Sequence, residues 1–92
     1  MTIKETRRMY MDDLRGLCIR HNWFTHADCK TYDRFLQMCD NGRKNITTKN
    51  LHAMALMVMQ YSDLETYEIL EITGIMFCLA EICLSCFSEM EE

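Results

Sequence analysis

EILEITGIMFCLAEICLSCFSEM, residues 68–90, decides the fold. It has one glycine and no proline, and its polar residues keep helical time. Glu71, Gly74, Cys78, Glu81, Ser85, Ser88 and Glu92 follow one another at steps of three or four, which draws one narrow seam along a helix. Ile72, Ile75, Met76, Phe77, Leu79, Ile82, Cys83, Leu84, Cys86 and Phe87 cover the rest of the surface. Ser62 and Glu65 fit a capping box, so the spacing predicts a single helix running to about Met90. Gly74 weakens such a helix by ~1 kcal/mol relative to Ala without ending it. The length would span a bilayer, but Glu71 and Glu81 would each cost ~2–3 kcal/mol near its centre. No basic residue flanks the segment either, so a membrane span is not expected.

Working back along the chain, the same tests give three more helices. Thr47 caps the third, with Ile46 and Leu51 placed as a hydrophobic staple. Every residue from Ala53 to Met59 is apolar, the pattern of a helix buried on all sides, and the helix should end near Tyr61. DNGRKN, residues 40–45, reads as a loop around the Asn41-Gly42 turn dipeptide. The second helix is expected from His26 to Cys39, capped by Thr25, with Cys29, Tyr32, Leu36 and Cys39 inward and Phe35 and Met38 beside them. The first is expected from Ile3 to His21, opened by a Thr2–Glu5 capping box and closed by Asn22. Its apolar face carries Ile3, Tyr10, Leu14, Leu17 and His21, widened by Met11 and Cys18, while Arg7, Arg8, Asp12, Arg15 and Arg20 occupy the remainder.

The expected architecture is therefore all-α: a compact four-helix bundle in one domain, residues 1–92, with a long C-terminal helix. A chain of 92 residues buries only ~60–65% of its unfolded surface. Helices 3 and 4 carry more apolar surface than helices 1 and 2 can cover, which points to a homodimer centred on helix 4. Six cysteines in a chain without a legible export signal read as reduced thiols of a cytoplasmic protein.

The formal charge of −4 conceals a division. Residues 1–50 hold all ten Lys and Arg against six acids, a net +4. Residues 51–92 hold eight acids and no Lys or Arg, a net −8. Asp63, Glu65, Glu68 and Glu71 gather at the start of helix 4 as a candidate docking site for a basic partner. Acids in a first helical turn also stabilise the helix dipole, which explains part of that cluster without a partner. Lys30, Arg34, Arg43 and Lys44, with Lys49, gather around helix 2 and the loop after it. They would reach acids of a partner, or phosphate if the chain were a small DNA-binding regulator reading through helix 2. Asp28 and Asp33 interrupt that basic face, and a pI of 5.3 lacks a nucleic-acid binder's basic footprint.

One motif could carry chemistry. Cys18, His21, His26 and Cys29 form a C-x2-H-x4-H-x2-C set astride the first helical corner. Zinc takes four N or S ligands in a tetrahedron, and residues three apart share a helix face, so a zinc-stabilised module is one reading. The other is packing: Cys18 and Cys29 both fall on expected core stripes, and small thiols are common there. Packing is the reading adopted, with no metal and no cofactor. The Cys–His pairs also lack the oxyanion site and orienting group that a nucleophile needs, so no enzymatic activity is expected. The nine methionines, Met54, Met57, Met59 and Met76 among them, fit either adaptable core filling or an adaptable binding surface.

LCIRHNWFTHADCKTYDRFL (17–36), NITTKNL (45–51) and ICLSCFSEM (82–90) resemble small helical proteins carried by phages and mobile elements of Gram-positive bacteria. The shared feature is a Trp-aromatic-Thr corner between two helices, here Trp23-Phe24-Thr25, with an aromatic further on, here Tyr32. That group includes anti-CRISPR inhibitors. The resemblance implies a protein–protein interaction module that blocks a host nucleic-acid-binding defence effector, such as a Cas protein, inside the bacterial host cell. The basic N-terminal half departs from uniformly acidic mimics of nucleic acid.

Overall fold

The computed structural model describes residues 2–21, 24 and 28–91, with the side chains of the last helix described through Leu84. Its helices are α1 (Ile3–His21), α2 (Cys29–Gly42), α3 (Thr48–Tyr61) and α4 (Thr66–Glu91). Each packs on its neighbours in sequence, and α4 returns to α1, closing a ring of four. α4 runs unbroken through Gly74, in a body of 44 × 26 × 19 Å.

The helix starts show how local chemistry sets these bounds. The Glu5 amide donates to Thr2 Oγ1 at 3.1 Å, as the Thr2–Glu5 pairing predicts. The Asn50 amide donates to Thr47 Oγ1 at 3.1 Å, and Ile46 and Leu51 are both buried, so cap and staple open α3 together. The start of α2 differs from expectation. Asp28 is the cap, its Oδ1 accepting from the Thr31 amide at 2.8 Å. Thr25 lies outside the described residues. α4 also starts one box later than the Ser62–Glu65 spacing predicts. The amides of Glu68 and Ile69 donate to the Glu65 carbonyl, and the Glu65 amide donates to Glu68 Oε1 at 3.5 Å. Ser62 instead ends α3 in extended backbone.

The core is built around α1. Met11, Leu14 and Cys18 are fully enclosed, facing Phe35 and Cys39 of α2, Met54 and Val58 of α3, and Leu79 of α4. α2 turns Phe35, Cys39 and Gly42 fully inward, Tyr32 and Leu36 pack at the edge of the core, and Cys29 does not face it. Phe35, with no polar atom to satisfy, takes the centre of the face, and Cys29, in the first turn, is left exposed. Phe24 is buried at the α1–α2 corner, its ring 4.9 Å from that of Phe35 and 6.3 Å from those of Tyr32 and Tyr61. Offset and tilted pairs of this kind add to plain area burial. Trp23 lies outside the described residues.

The Asn41-Gly42 dipeptide does not break α2; the helix continues through Gly42. Gly42 is buried, and a Cβ there would stand 2.6 Å from Met11 Cε and 3.0 Å from its Sδ. The missing side chain serves close approach of two helices, not a turn. Arg7 is also not a solvent residue. It is buried, and its Nε donates to the Arg43 carbonyl at 3.0 Å, satisfying an acceptor that the end of α2 would leave bare. Arg43 in turn pairs with Asp12 at 3.0 Å, and Arg15 approaches Asp40 at 3.3 Å without hydrogen-bond alignment.

Candidate interaction surface

α3 and α4 pack less closely than α1 and α2, and an apolar cleft opens between them. Its larger part, about 740 Å³, lies over Val58, Ile72 and Met76, with Met59 and Ile69 on the rims and Asp63 at the interhelix turn. A smaller part of about 340 Å³ continues along Leu51, Phe77 and Ala80, and Ala55, Thr73 and Met76 belong to both. The uniformly apolar run Ala53–Met59 is thus not buried on all sides. Leu51, Met54 and Val58 face the core, whereas Leu56 is 50% exposed and Met59 75%. A helix in a ring of four has two neighbours and a core side; its outer side meets solvent whatever residues it carries.

α4 shows the same division more sharply. Ile72, Leu79, Ile82 and Cys83 turn inward; Leu70, Phe77 and Leu84 project outward, each more than three-fifths exposed. The seam of Glu71, Gly74, Cys78 and Glu81 lies between these two sides, toward α1. Cys78 hydrogen-bonds Tyr10 of α1 and raises its pKa, and Glu71 shares a small cavity with Asp13 and Arg20. The outward apolar residues were hidden among the many apolar letters of this stretch. Their signal was a step of seven, 70 to 77 to 84, distinct from the inward set.

The acids expected to form one docking site are divided by the fold. Asp63 and Glu65 are exposed at the α3–α4 turn, Asp63 beside the cleft. Glu71 is exposed on the other flank of α4, toward α1. Glu68 is only 8% exposed, and its carboxylate is turned back on the Glu65 amide. It closes the helix end and is unavailable to a partner. Among the cations, Lys30, Arg34 and Lys44 are exposed, while Arg43 is held by Asp12.

The described members of the Cys/His set stand in different surroundings. Cys18 is enclosed in the core, and burial pushes its thiol pKa up to about 12. Zinc binds thiolate, which this environment disfavours. Cys39, beside it, is pushed to about 12 by the same burial. His21 packs edge-on to Tyr67 with ring centres 6.5 Å apart, and Cys29 is exposed at the surface. His26 lies outside the described residues. Among the described residues no group of three or more His, Cys, Asp or Glu could hold a metal ion. Nor is any described helix long and apolar enough to cross a membrane.

Fold and surface together define an all-α four-helix protein with an open apolar face on its second helical hairpin. Compared with family models, curated proteins and solved structures, the chain matches none.

Proposed function

We propose that the chain is a non-enzymatic interaction module, working as a homodimer joined through α4 and engaging a basic protein at the acidic α3–α4 turn. The observation that carries this is the apolar surface of the second hairpin: Met59 and Phe77 stand exposed on an apolar cleft, and Leu70 and Leu84 are exposed along the same helix as Phe77. Monomeric proteins rarely leave so contiguous an apolar surface in water unless something binds it. Asp63 and Glu65 at its end give that face a negative border, within a half of the chain that holds eight acids and no Lys or Arg. A basic, nucleic-acid-binding effector of the bacterial cytoplasm, blocked by the contact, is the partner that fits both this charge and the resemblance to phage-borne inhibitors. Direct nucleic-acid binding through α2 is less well supported, because Arg43 is engaged by Asp12 and Asp33 stands beside Arg34.

The test is affinity capture from bacterial lysate by the wild-type chain and by Asp63→Lys/Glu65→Lys. The expected result is a nucleic-acid-binding protein retained by the wild type and lost, or eluted at much lower salt, with the variant. Equal capture by both would remove the acidic turn from the site. A salt-sensitive shift of duplex DNA by the chain alone, lost on Arg34→Glu, would favour the regulator reading instead.

A further inference from the structure

We propose that a second copy of this chain covers the outer face of α4, in an antiparallel pair whose two-fold axis passes beside Phe77. The inference rests on the self-association proposed above and gives it a geometry. Leu70, Phe77 and Leu84 are 69%, 65% and 63% exposed. They are spaced by seven residues, about 10.5 Å at the helical rise, and drift only ~20° around the helix per step. A ridge of that period is what one helix presents to another at a shallow crossing angle.

The ridge is complementary to its own reverse. With the axis beside Phe77, Leu70 of each copy lies level with Leu84 of the other, and the two Phe77 rings meet in the middle. On the α3 side Thr73 comes opposite Ala80, two small residues that border the cleft. On the α1 side Glu81 crosses above Gly74, where an added Cβ would meet nothing within 4 Å, so the bare backbone leaves room for it. Glu71 stands further round toward α1 and away from the contact. Met59 of α3, on the rim of the cleft, is exposed beside α4 and widens the surface that the second copy covers.

The area agrees in scale. The chain exposes 6279 Å². A folded monomer of 11.0 kDa exposes about 5,600 Å². The difference, roughly 700 Å² summed over the whole chain, is of the same order as the ~800 Å² that each partner contributes to a stable interface.

Charge separates a second copy from a basic partner helix. Two copies of a region with eight acids and no Lys or Arg repel each other. Salt screens that repulsion and should tighten the pair, whereas it would weaken a basic partner's docking. The experiment is sedimentation equilibrium of the full chain at low and high salt, beside oxidative cross-linking of Phe77→Cys with the wild type as background for the native thiols. Expected are a mass twice 11.0 kDa, a several-fold lower dissociation constant at high salt, and a reducible covalent dimer for Phe77→Cys above the wild-type level. Phe77→Glu should halve the mass with unchanged far-UV helicity. A wild-type dimer that persists in Phe77→Glu and gives no Phe77→Cys cross-link would overturn this geometry while leaving self-association in place. A wild type that stays monomeric at 100 micromolar, a concentration chosen for the test, would overturn both.

Discussion

The two helical hairpins of this bundle contain similar amounts of helix and do different work. Between α1 and α2 nearly every device of a closed interface is present. Phe24 and Phe35 pack ring against ring, Gly42 admits Met11, Arg7 closes the end of α2, and Asp12–Arg43 borders the seam. Between α3 and α4 an apolar cleft stands open, and large apolar side chains line its rims. The more hydrophobic hairpin is the less closed one. Hydrophobicity alone therefore does not show where the core lies; what matters is which apolar side chains have a neighbouring helix to meet.

The largest expected effect tests that contrast directly. Phe35 and Phe77 are the same residue on opposite sides of it, one fully enclosed and one 65% exposed. Phe35→Ala should cost about 3–5 kcal/mol of stability, the range for emptying an aromatic site in a packed core. Phe77→Ala, in urea titrations dilute enough to keep the chain monomeric, should change stability by less than about 0.5 kcal/mol. Comparable losses would mean that α4 relies on its outer face for folding.

Next come the contacts that make the first hairpin close. Gly42→Ala inserts a methyl group against fully buried Met11 and should cost about 1–3 kcal/mol, as overpacking does. Arg7→Leu keeps bulk but leaves the Arg43 carbonyl without its donor, and should cost about 1–3 kcal/mol by the same urea measurement. Gly74→Ala has the opposite sign. Its site is open and lies mid-helix, so the substitution should stabilise the isolated monomer by up to about 1 kcal/mol. A loss at Gly74 would show that something already packs over it.

How legible this was from the letters depended on whether the deciding interaction is local. Thr47, Ile46 and Leu51 lie within five residues of one another, and they set the start of α3 as their spacing predicts. The four helices, and the continuity of α4 through Gly74, follow from periodicity in the same way. The Asn41-Gly42 dipeptide misleads because the residue that uses the glycine, Met11, is 31 positions away. Arg7 misleads similarly, since its acceptor belongs to Arg43, 36 positions on. The docking acids were a cluster in sequence, but the first turn of α4 claims Glu68 and sends Glu71 to another flank. Which side of an all-apolar helix meets solvent depends on the ring of neighbours and cannot be read from a window of seven apolar residues.

The smallest effect concerns the caps. α2 in the closed hairpin begins on Asp28, and α3 in the open one begins on Thr47. Both caps accept one amide, but only the carboxylate titrates. Hydrogen bonds from the Thr31 hydroxyl and amide hold the Asp28 pKa below its ordinary value of 3.8. A folded-state value below the unfolded one means that the stabilisation is present above the ordinary pKa and is lost as pH falls through the depressed value. Asp28→Asn keeps an oxygen acceptor and removes the titration. Its thermal midpoint should lie slightly below that of the wild type at neutral pH, and the gap should close on acidification below 3.8. Thr47→Ser, capping α3 without a charge, should leave the shape of the acid limb unchanged. Parallel acid limbs for the wild type and Asp28→Asn would show that the Asp28 cap contributes through shape alone, and the two hairpins would then not differ in how they respond to pH at their caps.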